Sequence, residues 1–129
     1  MPRKPSQTPT EVELEILQVL WTRGPSTVRQ IFNLLRQSRG TGYSTTLKMI
    51  QVMTEKGLVR KDDSVRPQVY SPAQPQEQTQ LELVDHLIQK GFAGSAMSLV
   101  LRAAAANRIT SGELTQIKRM IDKVKGGGK

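Results

Sequence analysis

Residues 43–70, YSTTLKMIQVMTEKGLVRKDDSVRPQVY, fix the architecture. The segment opens with small hydroxyl residues. It then places Leu47, Ile50 and Met53 at i, i+3 and i+6, with Met49 and Val52 flanking, which predicts a helix starting at Ser44 or Thr45. Gly57 suits a left-handed C-cap, and Lys56 complements the negative end of the helix dipole. Residues 58–61 predict a short basic strand, Asp62-Asp63-Ser64 a turn, and residues 68–71 a returning strand. Pro67 and Pro72 bracket that strand and suit an edge position. A two-stranded hairpin is marginal alone, so this one must pack on helices.

Upstream, Thr8-Pro9-Thr10-Glu11 has the form of a capping box, with proline at the first helical position. Leu14, Ile16, Leu17, Val19, Leu20 and Trp21 follow at helical spacings, and the helix should end near Gly24-Pro25. Trp21 is its largest side chain and reads as a core or interface anchor. Thr27-Val28-Arg29-Gln30 repeats the capping box. Val28, Ile31, Phe32, Leu34 and Leu35 then form a buried stripe that stops in Ser38-Arg39-Gly40-Thr41-Gly42. Two helices, a glycine-bearing turn, a third helix and a basic hairpin together describe a winged helix-turn-helix. The expected fold is mostly α with a small β wing.

In that fold the N-terminal and outward residues of the third helix, Ser44, Thr45, Lys48 and Gln51, are the candidates to meet base edges in a DNA major groove. Serine and threonine suit several base edges, lysine suits guanine acceptors or a phosphate, and glutamine suits adenine. Arg60, Lys61 and Arg66 flank the wing tip and suit backbone contacts, as does Arg29 near the start of the second helix. Tyr43 can pack as a staple or reach a phosphate. Asp62 and Asp63 argue against deep insertion of the wing tip.

Residues 73–80 form a Gln/Pro linker, and the domain boundary is expected there: a DNA-binding domain over 1–76 and a helical domain over 77–129. Leu81, Val84, Leu87 and Ile88 form one stripe, in a helix ending at Lys90-Gly91. Met97, Leu99, Val100 and Leu101 lie in an Ala-rich helix over 95–106. Thr110-Ser111-Gly112-Glu113 is a further capping box, leading into Leu114, Ile117, Met120, Ile121 and Val124. About fifty residues of short helices bury too little apolar surface to be stable alone, so the stripes need a partner. The simplest partner is a second copy, which makes Leu81, Val84, Leu87, Ile88, Leu99, Leu101, Leu114, Ile117 and Ile121 dimerisation candidates. Residues 1–7 are expected to fray as a basic arm, and residues 126–129 to be disordered.

Composition narrows the function. The 129 residues carry a formal charge of +8. Residues 1–76 hold eleven Lys/Arg against six Asp/Glu, and residues 77–129 hold eight against five. Such a balance favours polyanionic partners. The absence of cysteine excludes disulfides, zinc fingers and thiolate metal sensing. The N-terminus MPRKPSQTP lacks the apolar run of a secretory signal, and no stretch approaches the ~20 apolar residues of a membrane span. A soluble, cytoplasmic protein without membrane insertion is expected. His86 is the one histidine and reads as structural or surface. No Ser/His/Asp set, glycine-rich phosphate loop or metal-ligand spacing is present, so neither enzyme nor cofactor is expected. The reading that competes with DNA binding is a protein–protein adaptor on a winged-helix scaffold. A steep fall of DNA affinity with salt would separate the two.

The runs TEVELEILQVLW, STVRQIF, YSTTLKMIQVMTEKGLVRK and VYSP resemble the penicillinase-repressor family, of the BlaI/MecI/CopY type. So do LVDHLIQKGFAGSAMSLVLRAAA and ITSGELTQIKRMI, and the resemblance covers about residues 8–124. It implies a winged-helix domain, an interlocking C-terminal dimerisation domain, and a homodimeric repressor of transcription on a double-stranded operator dyad. In beta-lactam-responsive relatives a membrane sensor protease triggers cleavage in the dimerisation domain. The matching position here is Arg102-Ala103, where cleaved relatives carry Asn-Phe. Copper-responsive relatives carry a C-terminal cysteine motif, which this chain lacks.

Overall fold

The computed structural model describes residues 8–127, with side-chain burial described to residue 125. The expected arm over 1–7 lies outside the described residues, as do residues 128 and 129 of the tail. Six helices and one hairpin follow in order: α1 (Glu11–Arg23), α2 (Val28–Arg39), α3 (Tyr43–Lys56), β1 (Val59–Asp62), β2 (Val69–Pro72), α4 (Gln76–Gly91), α5 (Ala96–Ala105) and α6 (Ser111–Gly127). The mostly helical architecture with a small antiparallel wing is the one the sequence predicts. The chain divides into two compact units, 1–86 and 87–129, with the division inside α4.

In the first unit, Ile16, Leu17 and Leu20 of α1, Ile31 and Leu35 of α2, and Ile50 and Met53 of α3 close one core with Leu58, Val59 and Tyr70 of the hairpin. Each side chain of this kind contributes about 1.5–3 kcal/mol when fully buried. Leu14, Val19, Trp21, Val28 and Met49 pack against it, partly buried. Trp21 is thus a core anchor of the rim kind. Its indole nitrogen is buried without a hydrogen-bond partner among the described residues.

Several boundaries differ from expectation. The α1 capping box is Thr10 with Glu13, two residues beyond the predicted Thr8-to-Glu11 frame. Glu13 is held there by more than the cap. One carboxylate oxygen accepts from the Thr10 amide at 2.9 Å and the other pairs with Lys56 Nζ at 2.8 Å. The predicted boxes Thr27 with Gln30 and Thr110 with Glu113 are both formed. α3 starts at Tyr43 rather than Ser44 or Thr45 and takes Gly42 as its N-cap. Gly57 ends it in the left-handed region, at φ 81°, where L side chains are disfavoured.

The hairpin is shifted one residue from the prediction, with Val59 opposite Pro72 and Asp62 opposite Val69. Pro72 therefore closes β2 instead of following it. β2 is not a bare edge either. On its other side Ser26 pairs with Tyr70, through N–H···O bonds of 3.0 and 2.8 Å. That third segment, with the buried Tyr70, Val59 and Leu58, is how the hairpin meets its need for packing. The linker shortens to residues 73–75, because α4 begins at Gln76. Gln74 steadies this start by donating to Thr79 Oγ1 at 3.0 Å and Glu82 Oε1 at 3.1 Å.

In the second unit, α5 is capped by Ser95, which accepts from the Ser98 amide, and α6 by the Thr110 box. Contrary to the expected disorder from 126, α6 runs to Gly127. No described residue from 87 to 125 is buried. Met97, Leu101, Met120, Ile121 and Val124 are all more than half exposed. No helix among the described residues is long and apolar enough to cross a membrane.

Candidate nucleic-acid interface

The buried side of α3 is Thr46, Ile50 and Met53, each 1% exposed or less. That packing fixes which side chains face out. Ser44, Lys48 and Gln51 are exposed at spacings of four and three, forming one stripe along the helix, and Thr45 is exposed beside it. Glu55 continues the stripe one turn on. Its carboxylate marks the C-terminal limit of the surface that suits a phosphate-rich partner. Val52, which flanks the buried face, is 36% exposed and lies one turn C-terminal to Lys48. A methyl-bearing side chain in such a position suits the thymine methyl group.

The inward hydroxyls are engaged within the helix. Thr46 Oγ1 donates to the Gly42 carbonyl at 3.0 Å and Thr54 Oγ1 to the Ile50 carbonyl at 2.8 Å. Gly42 offers no side-chain cap, unlike Thr10 and Thr27 at the starts of α1 and α2. Among the described residues, no side chain thus caps the first-turn amides at the positive end of the α3 dipole.

Gln51 shares a groove with the wing. Leu47, Gln51, Thr54 and Glu55 of α3 line it on one side, and Lys61, Gln68 and Tyr70 on the other, around about 500 Å³. The structure thereby brings the helix candidate Gln51 and the wing candidate Lys61 to one surface. Arg60 and Arg66 are exposed on the hairpin, and Lys61 Nζ lies 3.8 Å from Asp63 Oδ1. At the tip, Asp62 accepts from both the hydroxyl and the amide of Ser64. Those bonds hold its carboxyl below the ordinary carboxylate range. The tip stays negative at neutral pH.

Tyr43 and Arg29 form a contact that spacing alone did not join. The Arg29 guanidinium carbon lies 4.4 Å from the centre of the Tyr43 ring. Tyr43 in turn meets Phe32 edge to face, with ring centres 5.5 Å apart at 77°. Tyr43 is a packing residue that keeps 37% of its surface exposed. Arg36, absent from the sequence-based candidates, sits 5.6 Å from the centre of Phe32. Its i+4 spacing from Phe32 is the signal that could have found it.

Arg39 is a cation of another kind. It donates to Glu15 at 2.8 Å and approaches Glu11 at 3.8 Å. The hydrogen bond from Arg39 holds the Glu15 carboxyl below its ordinary range, and the guanidinium pKa is raised in return. Arg39 is committed to tying α2 to α1.

The dimerisation candidates lie at α4, α5 and α6. Leu81, Val84, Leu87, Leu101, Leu114 and Ile121 are exposed, and Ile88, Leu99 and Ile117 are partly buried. Arg102 is exposed and Ala103 partly buried, both within α5. Among the described residues, no group of three or more His, Cys, Asp or Glu side chains could hold a metal ion.

A family model described as penicillinase repressor matches residues 9–123. Two proteins named transcriptional regulator BlaI, from Mycobacterium tuberculosis strains CDC 1551/Oshkosh and ATCC 25618/H37Rv, are each 26% identical to this chain over 119 residues. The match covers 91% of this chain and 85% of each relative.

Proposed function

Since this chain belongs to the penicillinase-repressor family, we propose that it is a DNA-binding transcriptional repressor acting as a homodimer on a palindromic operator. The observation that carries this reading is the two-sidedness of α3. One side is sealed into the core, and the other presents Ser44, Thr45, Lys48 and Gln51 beside the hairpin cations. In this reading α3 enters the major groove by its N-terminal turns. Arg29, Arg60, Lys61 and Arg66 meet phosphates and set the register without specifying sequence.

The domain over 77–129 joins two copies, and each copy reads a half-site. Half-site centres one helical turn apart, about 34–36 Å, match a two-fold dimer. The exposed apolar residues of α4, α5 and α6 support pairing with a second copy. Dimerisation makes binding of the second half-site effectively intramolecular, so loss of the dimer is a sufficient off-switch. Scission of α5 at Arg102-Ala103 by a sensor protease would act in this way. The repressor works in the cytoplasm.

The test is selection of bound sequences from a random duplex pool at physiological salt. A dyad-symmetric site is expected, with an affinity that falls steeply as salt rises. Lys48→Ala should weaken binding to that site. Recovery of nothing above background, from protein shown to be folded, overturns the reading in favour of an adaptor.

A further inference from the structure

Three arginines project from α2, and they divide into two kinds. Arg39 is bound to carboxylates. Arg29 and Arg36 have no ion pair or hydrogen bond among the described residues and rest on aromatic rings instead. Positions 29, 32 and 36 recur at i, i+3 and i+7, so both guanidinium groups and the Phe32 ring lie along one face of α2. Seven residues separate the two arginines, a rise of about 10 Å along the helix. Tyr43 extends the aromatic shelf from the first residue of α3, at the start of the outward stripe.

Stacking engages the flat face of a guanidinium and leaves its N–H edge outward. It also restricts a long side chain that would otherwise lose rotamer freedom on binding. A guanidinium held over an aromatic ring, with its donors unengaged among the described residues, suits the forked oxygens of a phosphodiester.

We propose that Arg29 and Arg36, held on the Tyr43–Phe32 shelf, form a two-point clamp for the DNA backbone alongside α3, with Arg36 an added phosphate contact and Tyr43 a positioning residue acting through Arg29. The clamp rests on the DNA-binding reading above and refines it. It makes α2 a phosphate-gripping element as well as a support for α3. The two arginines add affinity on any sequence, whereas the α3 stripe distinguishes sequences.

The experiment measures affinity for the selected operator and for random duplex across a salt series, with full-length protein. Arg36→Gln should weaken both duplexes by similar factors and flatten the log–log salt slope by about 0.9 for each phosphate that is no longer neutralised. Lys90→Gln, the same loss of charge on α4, controls for net charge and should leave the slope unchanged. Tyr43→Ala should cost about two- to five-fold, the size of an exposed cation–π interaction, and Tyr43→Phe should restore wild-type affinity. In an Arg29→Gln background, Tyr43→Ala should cost nothing further.

These positions are partly or largely exposed, and a thermal melt verifies folding of each variant. A wild-type slope in Arg36→Gln overturns the role of Arg36 at a phosphate. A Tyr43→Phe variant as weak as Tyr43→Ala, or an undiminished Tyr43→Ala cost without Arg29, overturns the positioning role. Both outcomes leave DNA binding standing if wild type binds and Lys48→Ala weakens it. Absence of salt-dependent binding by wild type defeats the underlying reading itself.

Discussion

The first unit closes on itself and the second does not. Ile16, Leu17, Leu20, Ile31, Ile50 and Met53 are all 2% exposed or less, whereas Leu101, Met120, Ile121 and Val124 are more than half exposed. The stripes have the same helical spacing in both units. What differs is the set of elements available to cover them. Three helices and a hairpin enclose a volume, whereas two capped helices and a turn do not. A stripe in sequence thus states a demand for burial, and only the fold shows whether one chain meets it.

The sharpest test of that contrast is truncation on each side of it. Ile50→Ala should cost about 2–5 kcal/mol, as buried large-to-small changes do, at any protein concentration. Ile121→Ala should cost under about 1 kcal/mol at dilutions where the chain is single, and more as concentration rises. Urea titrations at two concentrations measure both. An equal, concentration-independent loss at Ile121 would break the comparison.

Next in size is a charge placed on the open surface. Leu101→Glu with Ile121→Glu should reduce the sedimenting species from two chains to one and lower operator affinity by two orders of magnitude or more. The helical signal at 222 nm arising from the first unit should persist. An unchanged sedimenting mass would show that these side chains do not join the two copies.

A smaller effect falls on the bond between α1 and α3. Glu13→Ala removes both the acceptor for the Thr10 amide and the partner of Lys56, and should cost about 1–3 kcal/mol. Glu13→Gln keeps an acceptor for the amide and should cost less. Equal melting temperatures for the two variants would remove the Thr10 amide bond from the account and leave the loss to the Lys56 ion pair.

The smallest effect is at acid pH. The Glu15 carboxyl is held below its ordinary value of 4.5 by the Arg39 hydrogen bond. A lowered folded pKa means that the folded state holds the proton less tightly than the unfolded chain does. The stabilisation is present above the ordinary value and is lost as pH falls through the lowered one. The difference in melting temperature between wild type and Glu15→Gln should therefore be slight at neutral pH and vanish in acid. A difference that persists in acid would assign it to packing instead.

Local chemistry was legible in the sequence and long-range pairing was not. The Thr27 and Thr110 boxes, the Gly57 stop and the order of elements need only neighbours a few residues away. Residues 8–13, TPTEVE, contain two overlapping box frames, and proline at position 9 favours the earlier one. The later frame forms, and its Glu13 is also engaged by Lys56, 43 residues along the chain. Tyr43 joins α3 ahead of the hydroxyl residues, with its ring packed on Phe32. Of the candidate site, the α3 stripe followed from spacing, and the arginine–aromatic shelf required the packing of α2 on α3.

The pairing of Ser26 with Tyr70 has a mechanical consequence. Ser26 immediately precedes Thr27, the residue that caps α2, and Tyr70 lies within the wing strand. The start of α2 and the wing are therefore fastened jaw to jaw, like a calliper locked at one setting. If DNA binds as proposed, a backbone laid across both would be measured against a fixed gauge, and a duplex whose groove width departs from that setting would have to deform to fit.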